Sequence, residues 1–149
     1  MTNTYVTALV ESLEKKNKVL DEIIEKNKEQ RDLLSEEPFS FEKFDKNTEE
    51  KGVLIYRLNQ LDEGFESLYE KVKAELDMYK DSYADKIRRM QELIREITDK
   101  STSIQAEEAR NKAALEQVFK SERDRLKSGR SGVKALKSYS QAMNFRNNN

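Results

Sequence analysis

The apolar residues of this chain recur at alternating steps of three and four, the spacing of a single stripe along an α-helix. The first stripe starts near Val6 and predicts a long amphipathic helix over about residues 3–35. Its members are Leu9, Leu13, Lys16, Leu20, Ile23, Asn27, Gln30 and Leu34. Such a stripe must be covered by another helix, so the pattern predicts an all-α fold built as a helical bundle or coiled coil.

Three polar residues, Lys16, Asn27 and Gln30, interrupt this stripe. Polar residues in a helical seam can fix its register or its partner at some cost in stability. The simpler interpretation, which we prefer here, is that the long stems of Lys16 and Gln30 carry their polar ends to the surface.

The chain's single proline, Pro38, disfavours helical geometry at Glu37 and predicts the end of the first helix. Ser40 can cap the next helix, with Phe39 and Phe44 in the positions of a hydrophobic staple. A connection this short makes an antiparallel helix pair. The stripe of the second helix comprises Phe41, Phe44, Thr48, Lys51, Ile55, Leu58, Leu61, Phe65, Leu68 and Val72.

The end of the second helix is marked by conflicting signals. Asp62 and Gly64 favour a kink or short turn, which predicts helices over about 40–62 and 65–98. The apolar period nevertheless continues through Gly64, so one continuous helix from residue 40 to 98 is the alternative.

A second weak point is the segment 98–103, whose hydroxyl-bearing residues favour helix ends over helix interiors. It predicts a last helix over about residues 103–127. The expected architecture is therefore an elongated antiparallel bundle of three to four helices over residues 1–127, followed by a flexible basic tail, 128–149, with a short amphipathic segment.

The residue types that the chain lacks exclude most enzyme classes. Cysteine and histidine are both absent, which removes disulfides, thiolate chemistry, the usual zinc sites and imidazole catalysis. Asp77, Asp81 and Asp85 are spaced by four, yet no calcium-loop pattern accompanies them, and Gly129 and Gly132 match no phosphate-binding loop. We expect no enzyme, no metal and no cofactor.

The longest apolar run is Val53 to Tyr56, far too short for a membrane span or a signal-peptide core. We expect a cytoplasmic protein with no membrane insertion. Its charge is uneven, because residues 120–149 hold 8 Lys and Arg against 2 Asp and Glu. A basic arm suits acidic partners of several kinds, but no recognised nucleic-acid motif accompanies it, so we expect no nucleic acid.

Three segments in order, "LVESLEKKNKVLDEIIEKNKEQRDLL", "EEKGVLIYRLNQLDEGF" and "IQAEEARNKAALEQVF", resemble the flagellar type III export chaperones of the FlgN family. The likeness covers most of the chain. The residues that match the family's second element are Glu50, Lys51, Leu54, Ile55, Leu58, Leu61 and Asp62. Those that match the third are Gln105, Glu108, Asn111 and Leu115.

The resemblance implies a function. Chaperones of this family bind hook-filament junction proteins before export, prevent their premature assembly and deliver them to the type III export gate, without a cofactor. Two alternatives stay open. One is the sister type of chaperone that serves the filament cap, and the other is a generic coiled-coil scaffold or homodimer, which would show the same heptads.

The last helix is the candidate site for the client, because its apolar face is thin and should be left incompletely covered. Such a face accepts an amphipathic, otherwise disordered segment, here expected to be the C-terminal segment of a junction protein. Glu108 and Asn111 join the set through the family match. The predicted client-binding residues are Ile104, Glu108, Asn111, Leu115, Val118 and Phe119.

The tail carries a second candidate site. Gly129 and Gly132 lie among serines and predict a flexible joint, after which the apolar residues return to helical spacing. The resemblance implies docking to the cytoplasmic domain of the export gate through a tyrosine near the C-terminus. The residues predicted to dock are Val133, Leu136, Tyr139 and Met143. The alternative is a frayed terminus without function.

Overall fold

The computed structural model describes residues 2–126. They form three α-helices, α1 (Thr2–Leu34), α2 (Phe41–Met78) and α3 (Ala84–Leu126), with a 3-10 helix, Lys80–Tyr83, between α2 and α3. No strand occurs within this range. The all-α helical class predicted from the apolar period is confirmed. The predicted tail, 128–149, lies outside the described residues.

The connection between α1 and α2 follows the predicted chemistry. The Ser40 hydroxyl accepts a hydrogen bond from the backbone N–H of Lys43 at 3.2 Å, which satisfies one of the free donors at the start of α2. The rings of Phe39 and Phe44 lie 5.7 Å apart across this helix start. The helix end before Pro38, the Ser40 cap and the staple are therefore all confirmed.

The predicted helix boundary at 62–65 is wrong, because α2 continues through Gly64 to Met78. Gly64 is exposed, and a glycine inside a helix costs only about 1 kcal/mol relative to alanine. The apolar stripe on the same helix goes on to Val72 and Leu76, which are both buried. Burial of this stripe outweighs the propensity of one residue, and α2 ends instead at Met78.

The predicted boundary at 98–103 is also wrong, because α3 passes through this segment without a break. The Thr98 hydroxyl donates a hydrogen bond to the carbonyl of Ile94 at 2.8 Å, so it is satisfied inside the helix. Ile97 and Ile104 are buried on either side of the segment. The helix predicted over 65–98 is thus divided between α2 and α3, and its second part is continuous with the helix predicted over 103–127.

The chain divides into two compact units, and each long helix contributes to both. Among the described residues, the first unit contains 2–21 and 56–101, and the second unit contains 22–55 and 102–126.

The first unit has an apolar interior with charged groups at its edge. Lys16 forms an ion pair with Asp62 at 2.7 Å, and Lys100 forms one with Asp21 at 2.9 Å. The predicted surface position of the Lys16 amine is confirmed, since its side chain is half-buried and its partner Asp62 is more exposed. The buried apolar residues of this unit are Val6, Leu9, Leu13, Val19, Leu20, Val72, Leu76, Met90, Leu93 and Ile97.

We predict that Gly64→Ala stabilises the protein, because α2 is helical there and an added Cβ meets no atom within 4 Å. The expected gain is about 0.5–1 kcal/mol in the free energy of unfolding, measured by urea denaturation. Gly64→Pro is the control and should lower stability by about 3 kcal/mol. Tolerance of proline at this position would show that α2 is broken there.

Candidate functional site

The second unit contains an aromatic cluster where the three helices meet. Leu34, Phe44, Leu115 and Phe119 are buried together, and Phe41 packs against them. The rings of Phe41 and Phe119 stack at 6.2 Å with 5° between their planes. This cluster covers the C-terminal part of the α3 face with side chains from α1 and α2.

One helical turn away from the aromatic cluster, the interior becomes polar. Each helix supplies two polar side chains spaced by three or four residues, a spacing that puts both on one face of the helix. All six are less than 5% exposed. We call them the polar network: Asn27 and Gln30 of α1, Asn47 and Lys51 of α2, and Glu108 and Asn111 of α3.

Lys51 occupies the centre of the polar network. Its Nζ lies 2.8 Å from Oε1 and 3.0 Å from Oε2 of Glu108. It also donates hydrogen bonds to Oδ1 of Asn27 at 3.1 Å and Oε1 of Gln30 at 3.4 Å. The side chains of Lys51 and Glu108 are only 4% and 3% exposed. Charges this deeply buried persist only when they are paired and hydrogen-bonded.

Side-chain amides of the polar network form further hydrogen bonds between the helices. Gln30 Nε2 donates to Asn47 Oδ1 at 3.1 Å, and Asn47 Nδ2 donates to the carbonyl of Lys26 at 3.0 Å. Asn111 Nδ2 donates to Gln30 Oε1 and to the carbonyl of Asn27, both at 3.1 Å. The network therefore ties α3 to α1 as well as to α2.

The prediction that Gln30 carries its polar end to the surface is wrong. Gln30 is completely buried, because Asn47, Lys51 and Asn111 give its amide partners in the interior. The alternative interpretation, in which seam polar residues fix the register, accounts for both Asn27 and Gln30. The sequence signal for a buried polar network was the presence of polar residues at positions of the apolar stripes, Asn27 and Gln30 on α1 and Lys51 on α2.

The structure places the predicted client-binding residues inside the second unit. Ile104, Glu108, Asn111, Leu115 and Phe119 are buried, and Val118 is half-buried. The expectation that α3 leaves this face uncovered is wrong, because α1 and α2 cover it with the aromatic cluster and the polar network. Client binding by these residues stays a prediction.

The tail residues predicted to dock to the export gate lie outside the described residues, and their role stays a prediction. They are Val133, Leu136, Tyr139 and Met143. Among the described residues, 2–126, none of the three α-helices contains an apolar stretch of the length that a membrane span requires. Over the same part of the chain, the acidic side chains form no group of three or more that could hold a metal ion.

This fold and this site define a small all-α bundle in which one helix face is held by a buried polar network. The sequence model of the FlgN protein family matches residues 1–144, so the chain belongs to the FlgN family of flagellar export chaperones. The resemblance seen in the three segments is confirmed. No curated protein and no solved structure matches the chain. Chaperones of the FlgN family bind flagellar export substrates.

We predict that Leu115→Ala lowers the free energy of unfolding by about 3 kcal/mol, because Leu115 is 1% exposed and its removal leaves a cavity in the aromatic cluster. Ile94→Ala is the matched control on the same helix. Ile94 is 47% exposed, so its loss should cost less than about 1 kcal/mol. Small and equal losses in thermal or urea denaturation would contradict the buried position of Leu115.

Proposed function

We propose that this protein is a cytoplasmic chaperone that binds hook-filament junction proteins, prevents their premature assembly and delivers them to the type III export gate. The observation that carries the proposal is the FlgN family match, which extends over residues 1–144. That match favours this function over the filament-cap type of chaperone and over a generic coiled-coil scaffold or homodimer.

The proposed client site is the face of α3 that carries the six predicted residues. In the structure α1 and α2 cover this face, so a client reaches it after residues 102–126 of α3 separate from α1 and α2. The client segment is amphipathic, and it replaces the apolar surface that α1 and α2 give up. Binding and ordering of a disordered segment then occur together.

This separation exposes apolar side chains that a client must cover again. Within residues 102–125 of α3, the large apolar residues that are buried are Ile104, Leu115 and Phe119. Each is worth about 1.5–3 kcal/mol on burial, and a client helix that covers the same residues recovers most of that energy. The site therefore suits reversible binding, as a chaperone that releases its client requires.

We predict that the full chain binds C-terminal segments of hook-filament junction proteins and does not bind the corresponding segments of a filament-cap protein. Calorimetric titration of each segment measures this directly, with a scrambled junction segment as the control. Binding of the cap segment alone would replace the proposed client with the alternative. An elongated dimer by light scattering that binds neither segment would favour the scaffold.

We also propose that the tail docks to the cytoplasmic domain of the export gate. The family match includes residues up to 144 and thus covers Tyr139 and the apolar residues around it. The tail's basic groups, without acidic residues after Asp124, would steer it to an acidic surface. Tyr139 is the aromatic anchor of this proposed contact.

We predict that deletion of residues 128–149 abolishes binding to the export-gate domain and leaves client binding unchanged. Tyr139→Ala alone should weaken gate binding by about 2 kcal/mol, the loss of a hot-spot aromatic residue. Tyr79→Ala is the matched control, because Tyr79 is an exposed tyrosine of the first unit. Gate binding that survives both the deletion and Tyr139→Ala would refute the proposed docking.

A further inference from the structure

The part of α3 in the second unit is attached through two different kinds of contact. Its apolar contacts lie at Ile104 and again at Leu115 and Phe119. Between Ile104 and Leu115 the buried residues of α3 are Glu108 and Asn111, both members of the polar network. The middle of this attachment therefore depends on one ion pair and its hydrogen bonds.

Polar and apolar contacts respond differently to separation of the helix. When an apolar side chain leaves the interior, it forms no favourable interaction with water, and the full free energy of its burial is lost. When Lys51 and Glu108 separate into water, both charges recover the hydration that burial had removed. Two helices joined by a buried ion pair consequently separate at a lower cost in free energy than two helices joined by an apolar contact of the same area.

The start of this part of α3 has weak helical propensity. Thr98, Ser101, Thr102 and Ser103 are poor helix formers, and the Thr98 hydroxyl bonds back to the carbonyl of Ile94. Back-bonding of this kind slightly weakens and bends helices. The chain passes into the second unit between Ser101 and Thr102. The weak segment thus lies where α3 must loosen if residues 104–119 are to separate.

We propose that the Lys51–Glu108 pair and the surrounding amides form a latch that holds residues 102–126 of α3 closed in one register and lets them open without unfolding of the first unit. Opening uncovers the client-binding face, so this inference rests on the proposed function. The latch sets the fraction of molecules that can bind a client. Apparent affinity then scales with that open fraction.

The opening variant is Lys51→Gln, which removes the ammonium and leaves the Glu108 carboxylate buried without its countercharge. This penalty exists only in the closed form, because in the open form Glu108 is hydrated. Native-state hydrogen exchange of residues 104–119 should become faster by about tenfold or more. The apparent Kd for a junction-protein segment should fall by the same factor.

Lys16→Gln is the matched control. It makes the same substitution at a lysine that is ion-paired with Asp62 in the first unit, where both groups are partly exposed. Hydrogen exchange at 104–119 and client affinity should both equal those of the unaltered protein. An equal effect of Lys16→Gln and Lys51→Gln would overturn the latch, because the response would then reflect general loss of stability.

The closing variant keeps the test decisive if Lys51→Gln fails to fold. Lys51→Met combined with Glu108→Leu replaces the ion pair by apolar side chains, a change that is commonly neutral or stabilising in protein interiors. Exchange at 104–119 should slow by about tenfold relative to exchange in the first unit. Exchange that is unchanged, or that matches global unfolding in the unaltered protein, would overturn the latch.

The exchange measurements use the free protein, and this separates the two proposals. Slower exchange in the closing variant supports the latch even if no junction-protein segment binds, in which case the proposed client is wrong. If such a segment binds and Lys51→Gln speeds exchange without changing its Kd, the client stands and control of binding by the latch is refuted.

Discussion

The second unit depends on the burial of one ammonium group. Lys51 lies almost fully inside, and its charge needs acceptors on several sides. α1 supplies amide oxygens and α3 supplies the Glu108 carboxylate. Because hydrogen bonds tolerate little error in distance and angle, a shift of any helix by one turn would leave a buried charge unpaired. The pair and its amide partners thus join all three helices in the observed register, even though the net contribution of a buried ion pair to stability is small.

The interiors of the two units differ in their polarity. The first unit buries aliphatic residues and keeps ion pairs such as Lys16–Asp62 at its edge, where they contribute little energy and can exchange with water. The second unit places its ion pair in the interior beside the aromatic cluster. A polar interior of this kind is typically less stable than an apolar interior of the same size, but it requires specific partners for each buried group.

The apolar periodicity predicted the all-α fold class. The helix boundaries were predicted only in part. Pro38 disfavours helical geometry at Glu37, a local effect that sequence alone reveals, and α1 ends shortly before it at Leu34. Gly64 and the segment 98–103 are also weak local signals, and both were overridden by burial of neighbouring apolar residues such as Val72 and Ile104. A loss of about 1 kcal/mol in helix propensity is smaller than the free energy gained by burying several apolar side chains.

The candidate site was likewise predicted only in part from the sequence. The spacing of its residues determined which side chains share one face of α3, since helical geometry fixes that face wherever the helix lies. Whether the face is open or covered was decided by tertiary structure, which brings Phe41 and Phe44 against Phe119 and Lys51 against Glu108. By itself the sequence determined the all-α class, the apolar stripes and the family. Only the packing of three helices decided that polar residues of the stripes meet in the interior, because pairing across helices depends on contacts between residues far apart in the chain.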